Sequence, residues 1–86
     1  MSKNIKINKL REVLGQAEEG KAELQIIRFQ GVFKAILLKK HYKESDISWI
    51  VVKTLDNDNP DYEKNISLKI DLNDGGVSEI KVLKFN

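Results

Sequence analysis

The residues of this chain that could do chemistry are few, and their spacing gives them little to do together. His41 is the lone histidine, set in the basic run Lys39-Lys40-His41-Tyr42-Lys43 with Glu44 and Asp46 just beyond. An imidazole serves as a general base when a carboxylate or carbonyl fixes its tautomer. Acidic neighbours within a loop are ordinarily solvated instead, and no nucleophile, orienting group and oxyanion donors can be assembled around His41. Phosphate loops, dinucleotide glycine fingerprints and the nucleophile-elbow pattern are missing as well. The expectation is a protein that is not an enzyme, with no catalytic residue and no cofactor.

Metal chemistry fares no better. Asp56-Asn57-Asp58-Asn59-Pro60-Asp61 opens like a calcium loop at Asp56 and Asp58. Pro60 then stands where a third ligand belongs, Asp61 where glycine is needed, and Ser67 where a bidentate glutamate should close the site. The segment reads as a polar turn, and no metal site is expected. The chain has no cysteine, so thiolate sites and disulfides are excluded.

Charge offers more. The net charge of +2 conceals an asymmetry: residues 1–43 carry ten Lys/Arg against four acids, and residues 44–86 five against nine. Two surfaces follow as candidates. An acidic loop with Asp56, Asp58, Asp61 and Glu63 would meet a protein with a basic groove. A basic set of Lys6, Lys9, Arg11, Lys34, Lys39, Lys40 and Lys43 would hold an anion or nucleic acid, with Tyr42 and Phe33 as stacking platforms. Arg11 and Arg28 are the only arginines. Lysine is a hydrated point charge without the planar fork that reads base edges, so sequence-specific recognition is under-equipped.

The elements that must position these groups are read from periodicity. Leu10, Val13, Leu14 and Ala17 make one helical stripe, with Asn8 as N-cap and Gly20 as the left-handed terminator. Lys3–Ile7 is a lead-in strand or frayed arm. Lys6, Lys9 and Arg11 would then flank the helix N-terminus and favour an anion there. Five apolar runs follow, separated by turns at Gln30-Gly31, His41–Asp46, Asp56–Lys64 and Asn73–Gly76. Ile66, Leu68, Ile70 and Leu72 alternate with polar residues, and Ile80 and Val82 continue that inward face. Asn73-Asp74-Gly75-Gly76 is a strong hairpin signal.

Residues 10–42 also resemble the N-terminal half of the Phd/YefM-type antitoxins, small DNA-binding partners of intracellular toxins. Leu10-Arg11, Glu19-Gly20, Ile26-Ile27-Arg28 and Gly31 with Ala35-Ile36-Leu37 carry the likeness. The strand-rich remainder differs from that family's helical, partly disordered C-terminal half. What the resemblance implies is DNA binding through the basic half.

The expected architecture is one α+β domain over residues 1–86. One N-terminal helix packs on a twisted, mainly antiparallel sheet of about five strands, consecutive strands paired in a meander. No run approaches the roughly 18 apolar residues of a membrane span, and no signal sequence follows Met1, so a cytoplasmic protein is expected. The usage of Lys, Asn and Ile is that of AT-rich genomes and suggests a low-GC bacterium or its phage. The expected function is a small interaction protein, an inhibitor or adaptor from a phage or mobile element that binds a host protein and can form a homodimer. Nucleic-acid binding by the basic half is the alternative.

Overall fold

The computed structural model describes residues 2–29, 31–55, 63–73 and 76–84, and for residues 2–7 the backbone alone. These residues form one helix, α1 (Ser2–Gly15), and five strands: β1 (Glu23–Arg28), β2 (Gly31–Lys43), β3 (Asp46–Thr54), β4 (Ser67–Asp71) and β5 (Val77–Lys84). The fold class is the expected one, a single helix on an antiparallel sheet.

The helix starts earlier than the capping signal suggested. Lys3–Ile7 is helical, and Asn8 lies inside α1 rather than at its N-cap. An interior asparagine costs only about 0.7 kcal/mol against alanine, too little to stop a helix whose neighbours permit it. Lys9 and Arg11 are therefore well inside α1 and do not flank its N-terminus, where an anion site was the alternative to a solvated face. The helix ends at Gly15, where Gln16 N–H bonds Val13 O and Ala17 N–H bonds Leu14 O in the tighter i→i+3 pattern. Gly20, at φ 82°, serves the following turn, in which Lys21 and Ala22 N–H both bond Glu18 O.

The strand order is β4-β3-β2-β1-β5. The first four strands form the expected meander. The last connection does not: β5 pairs antiparallel with β1, at the edge opposite β4. Local turn chemistry at residues 73–76 marks a reversal but does not choose which sheet edge receives the next strand. Here β5 gives β1 its second neighbour and joins Ile80 and Val82 to Ile26 and Leu24.

This crossover forces the sheet to curl. Asp71 and Val77 are six peptide steps apart, a reach of at most about 21 Å. In a flat sheet β4 and β5 would lie about 19 Å apart sideways alone. They also meet their neighbours at opposite ends: Asp71 pairs with Trp49, near the β2–β3 turn, and Val77 with Arg28, near the β1–β2 turn. Only a curled sheet lets so short a link close. Irregularities in the β2–β3 pairing, an extra residue at Leu38 in β2 and another at Ser48 in β3, supply the bend.

Inside the curl lies a single core. Leu10, Leu14 and Ala17 of the helical stripe are buried there with Leu24, Ile26, Phe33, Ala35, Leu37, Ile50, Val52, Ile70, Leu72, Val77 and Ile80, and Val13, Leu68 and Val82 pack partly against it. The inward row expected at Leu68, Ile70, Leu72, Ile80 and Val82 thus holds, except that Ile66, just ahead of β4, is exposed. The strands are apolar on both faces, yet only one face is fully covered. Ile27 and Ile36 are half-buried on the other, while Phe29, Val32 and Leu38 are exposed.

Candidate functional site

The outer face of the curled sheet is set out by register, since paired residues share a face. Lys39 pairs with Val51, which pairs with Lys69. Lys53, two residues beyond Val51 on β3, faces the same way. Three exposed lysines from three strands therefore ring the half-buried Val51. Lys34 pairs with Gln25, itself paired with Lys81, and extends the basic character toward β5. Lys53, Lys69 and Lys81, from the acidic half of the sequence, thus share this face with Lys34 and Lys39 from the basic half.

Next to this ring His41 pairs with Trp49. Their rings stack with centroids 3.6 Å apart and planes 10° from parallel. The Lys69 ammonium sits 4.3 Å from the Trp49 centroid. One indole face is filled by the imidazole, so the ammonium takes the other. His41 is consequently a strand residue, not the loop residue expected. The β2–β3 turn is confined to Glu44 and Ser45, between the paired Lys43 and Asp46.

The basic set proposed from sequence separates into two classes. Lys9, Lys34, Lys39 and Lys43 are exposed. Arg11 and Lys40 are half-buried. Arg11 Nε donates to Ile47 O at 2.9 Å and its guanidinium reaches Asn73 Oδ1 at 3.5 Å, tying α1 to β3 and to the crossover. Lys40 Nζ donates to Leu14 O at 3.2 Å and Ala17 O at 2.9 Å. The irregularity after Leu37 aligns Lys40 with the buried Ile50, which turns it toward the helix. Phe33 is buried and cannot stack on a ligand, whereas Tyr42 is exposed. Of Lys6 only the helical backbone is described.

Of the acidic loop, Asp56, Asp58 and Asp61 lie outside the described residues. Glu63 is exposed. Its carbonyl accepts a hydrogen bond from the Thr54 hydroxyl, which in turn accepts one from Ile66 N–H at 2.9 Å. Among the described residues no group of three or more His, Asp or Glu could hold a metal ion, and no helix is long and apolar enough to cross a membrane.

Two features were not anticipated. Phe29 is 94% exposed at the tip of the β1–β2 hairpin. Its amide bonds Gly76 O at 3.2 Å, and the paired Ile27 and Val32 stand directly behind it. Beside the hairpin, Lys9, Leu10, Val13, Ile27, Ser78 and Ile80 line a largely apolar groove of about 260 Å³ between α1 and β5. The sequence carried a signal for Phe29, namely an apolar ring next to turn residues.

Comparison with protein-family models, curated proteins and solved structures finds no match to this chain.

Proposed function

We propose that this chain is a non-enzymatic interaction protein, an inhibitor or adaptor that inserts the β1–β2 hairpin tip into an apolar pocket of a protein partner. The exposure of Phe29 carries the reading. Leaving a phenylalanine in water forgoes about 2–3 kcal/mol that burial would return. Aromatic anchors on rigid supports are the residues that dominate protein interfaces. The support here is firm, since Arg28 pairs with Gly31 and the Phe29 amide is tied to the crossover through Gly76. Little ordering entropy would therefore be spent on docking. The scarcity of reactive groups supports the same reading, because His41 is engaged in a stack with Trp49.

A pull-down from a lysate of the source organism, after nuclease treatment, tests it with the wild-type chain beside Phe29→Ser. The expected result is a protein captured by the wild type and lost with Phe29→Ser, while the two chains melt together. Equal capture by both, or none by either, overturns the reading. Nucleic-acid binding is a second reading, favoured by the lysines around Val51.

A further inference from the structure

We infer that the outer sheet face centred on Val51, with Lys39, Lys53 and Lys69, is a docking surface for the phosphate backbone of single-stranded nucleic acid. This activity is separate from the hairpin tip and does not depend on it.

Lys39 and Lys69 flank Val51 in register on either side, and Lys53 lies one diagonal step from each. Diagonal neighbours on a sheet are about 7–8 Å apart, close enough for like charges to repel. Among the described residues the register places no acid within the ring: Val51 is its centre, and Ser67 stands beside Lys53. Asp71 and Glu23 lie at its borders, opposite Trp49 and Ile36. Three ammonium groups gathered this way are a cost to the folded state that a row of phosphates would remove.

The chemistry of the ring narrows the ligand. Lysine contacts phosphate as a point charge and lacks the fork that reads bases. Trp49, the aromatic beside the ring, has His41 on one face and Lys69 near the other, so it offers no platform for a base. Recognition is therefore of the backbone and indifferent to sequence. The shape narrows it further. The sheet curls around its core, so this face is convex. A duplex, stiff over about 150 bp, would touch such a surface at few points, whereas a flexible single strand follows it.

Three phosphate contacts on a single strand give a salt slope of about −2, or roughly a twentyfold loss of affinity between about 50 and 200 mM salt. Fluorescence anisotropy with labelled oligo(dT), oligo(U) and a duplex of equal length measures it. The comparison is between the wild type, Lys39→Glu/Lys53→Glu, and Lys9→Glu/Lys21→Glu, which carries the same net charge change on other exposed positions. Leaving Lys69 in place preserves its contact with Trp49, and circular dichroism checks the fold of each variant. The expected result is salt-sensitive binding of both single strands that falls about tenfold or more in the Lys39/Lys53 variant. It should persist in the Lys9/Lys21 variant and in Phe29→Ser. Absence of binding at low salt, equal loss in the two charge variants, or equally tight binding of the duplex overturns the inference.

Discussion

The Lys40 ammonium lies 2.9 Å from the carbonyl oxygen of Ala17, and this contact fastens the end of the helix to the middle of the sheet. Helix α1 has no basic residue in its last turn, and Glu18 and Glu19 follow it. Its C-terminal carbonyls thus lack a local cation to offset their partial negative charge. The strand provides one from outside. The same junction is laced by Gly20 N–H to Leu37 O, Leu37 N–H to Ala22 O, and Lys40 N–H to the Glu19 carboxylate at 2.6 Å. The irregularity in β2 is therefore the seat of the helix.

Replacing Lys40 with methionine keeps the aliphatic stem and removes the cap. The expected loss is about 1–2 kcal/mol, the size of a partly buried cation at a helix C-terminus with its hydrogen bonds. Urea unfolding followed by far-UV circular dichroism measures it. A change below about 0.5 kcal/mol, the range of ordinary surface substitutions, would show that the contact stabilises nothing.

The stack of His41 on Trp49 gives a second expectation. Because Trp49 is the lone tryptophan, its fluorescence reports on this position alone. His41→Ala should uncover one indole face, raise the acrylamide quenching constant, and cost about 1 kcal/mol of stability. Unchanged quenching would mean that the imidazole does not shield the ring.

How much of this was legible in the sequence depends on range. The helical stripe Leu10, Val13, Leu14 and Ala17 and the inward rows of the strands were readable, because burial imposes a period that any window displays. Ile70, Leu72 and Ile80 reached the core and Leu68 and Val82 pack against it as their spacing required, while Ile66 stayed exposed. The partner of β5 was not readable, since Asn73–Gly76 signals a turn whichever edge the strand joins. The lysine ring was hidden for a related reason. Its members come from β2, β3 and β4, and the shift of register between Leu37 and Lys39 sends Lys40 inward and leaves Lys39 outside. A displacement of one residue decided which lysine caps the helix and which faces solvent.

Two opposite substitutions should both stabilise the fold. Gly15 closes α1 with no atom near a prospective Cβ within 4 Å, so Gly15→Ala raises helix propensity without a clash. Glu44, at φ 61°, holds a left-handed conformation that a side chain disfavours, so Glu44→Gly relieves it at the β2–β3 turn. Each gain is expected at about 0.5–1 kcal/mol, and their separation makes them additive. Thermal melts of the single and double variants test this, and a lowered melting temperature for Glu44→Gly would refute the turn argument.

Thr54 joins the two ends of the connection between β3 and β4, and it is the one buried polar side chain among the described residues. Its backbone N–H bonds Ile66 O at 2.9 Å and its carbonyl accepts from Asn65 N–H at 2.8 Å. Its hydroxyl donates to Glu63 O while accepting from Ile66 N–H. Thr54→Val preserves shape and the backbone bonds but strands the Ile66 amide and the Glu63 carbonyl, one donor and one acceptor. Leaving such groups unsatisfied costs about 1–3 kcal/mol in total when water cannot reach them. Thr54→Ser keeps the hydroxyl and should retain more stability than valine does, despite losing a methyl group. Hydrogen exchange at Ile66 separates the hydroxyl's role from that of packing. Faster exchange in Thr54→Val but not in Thr54→Ser is the expected pattern, and equal rates in the two would assign the position to packing alone.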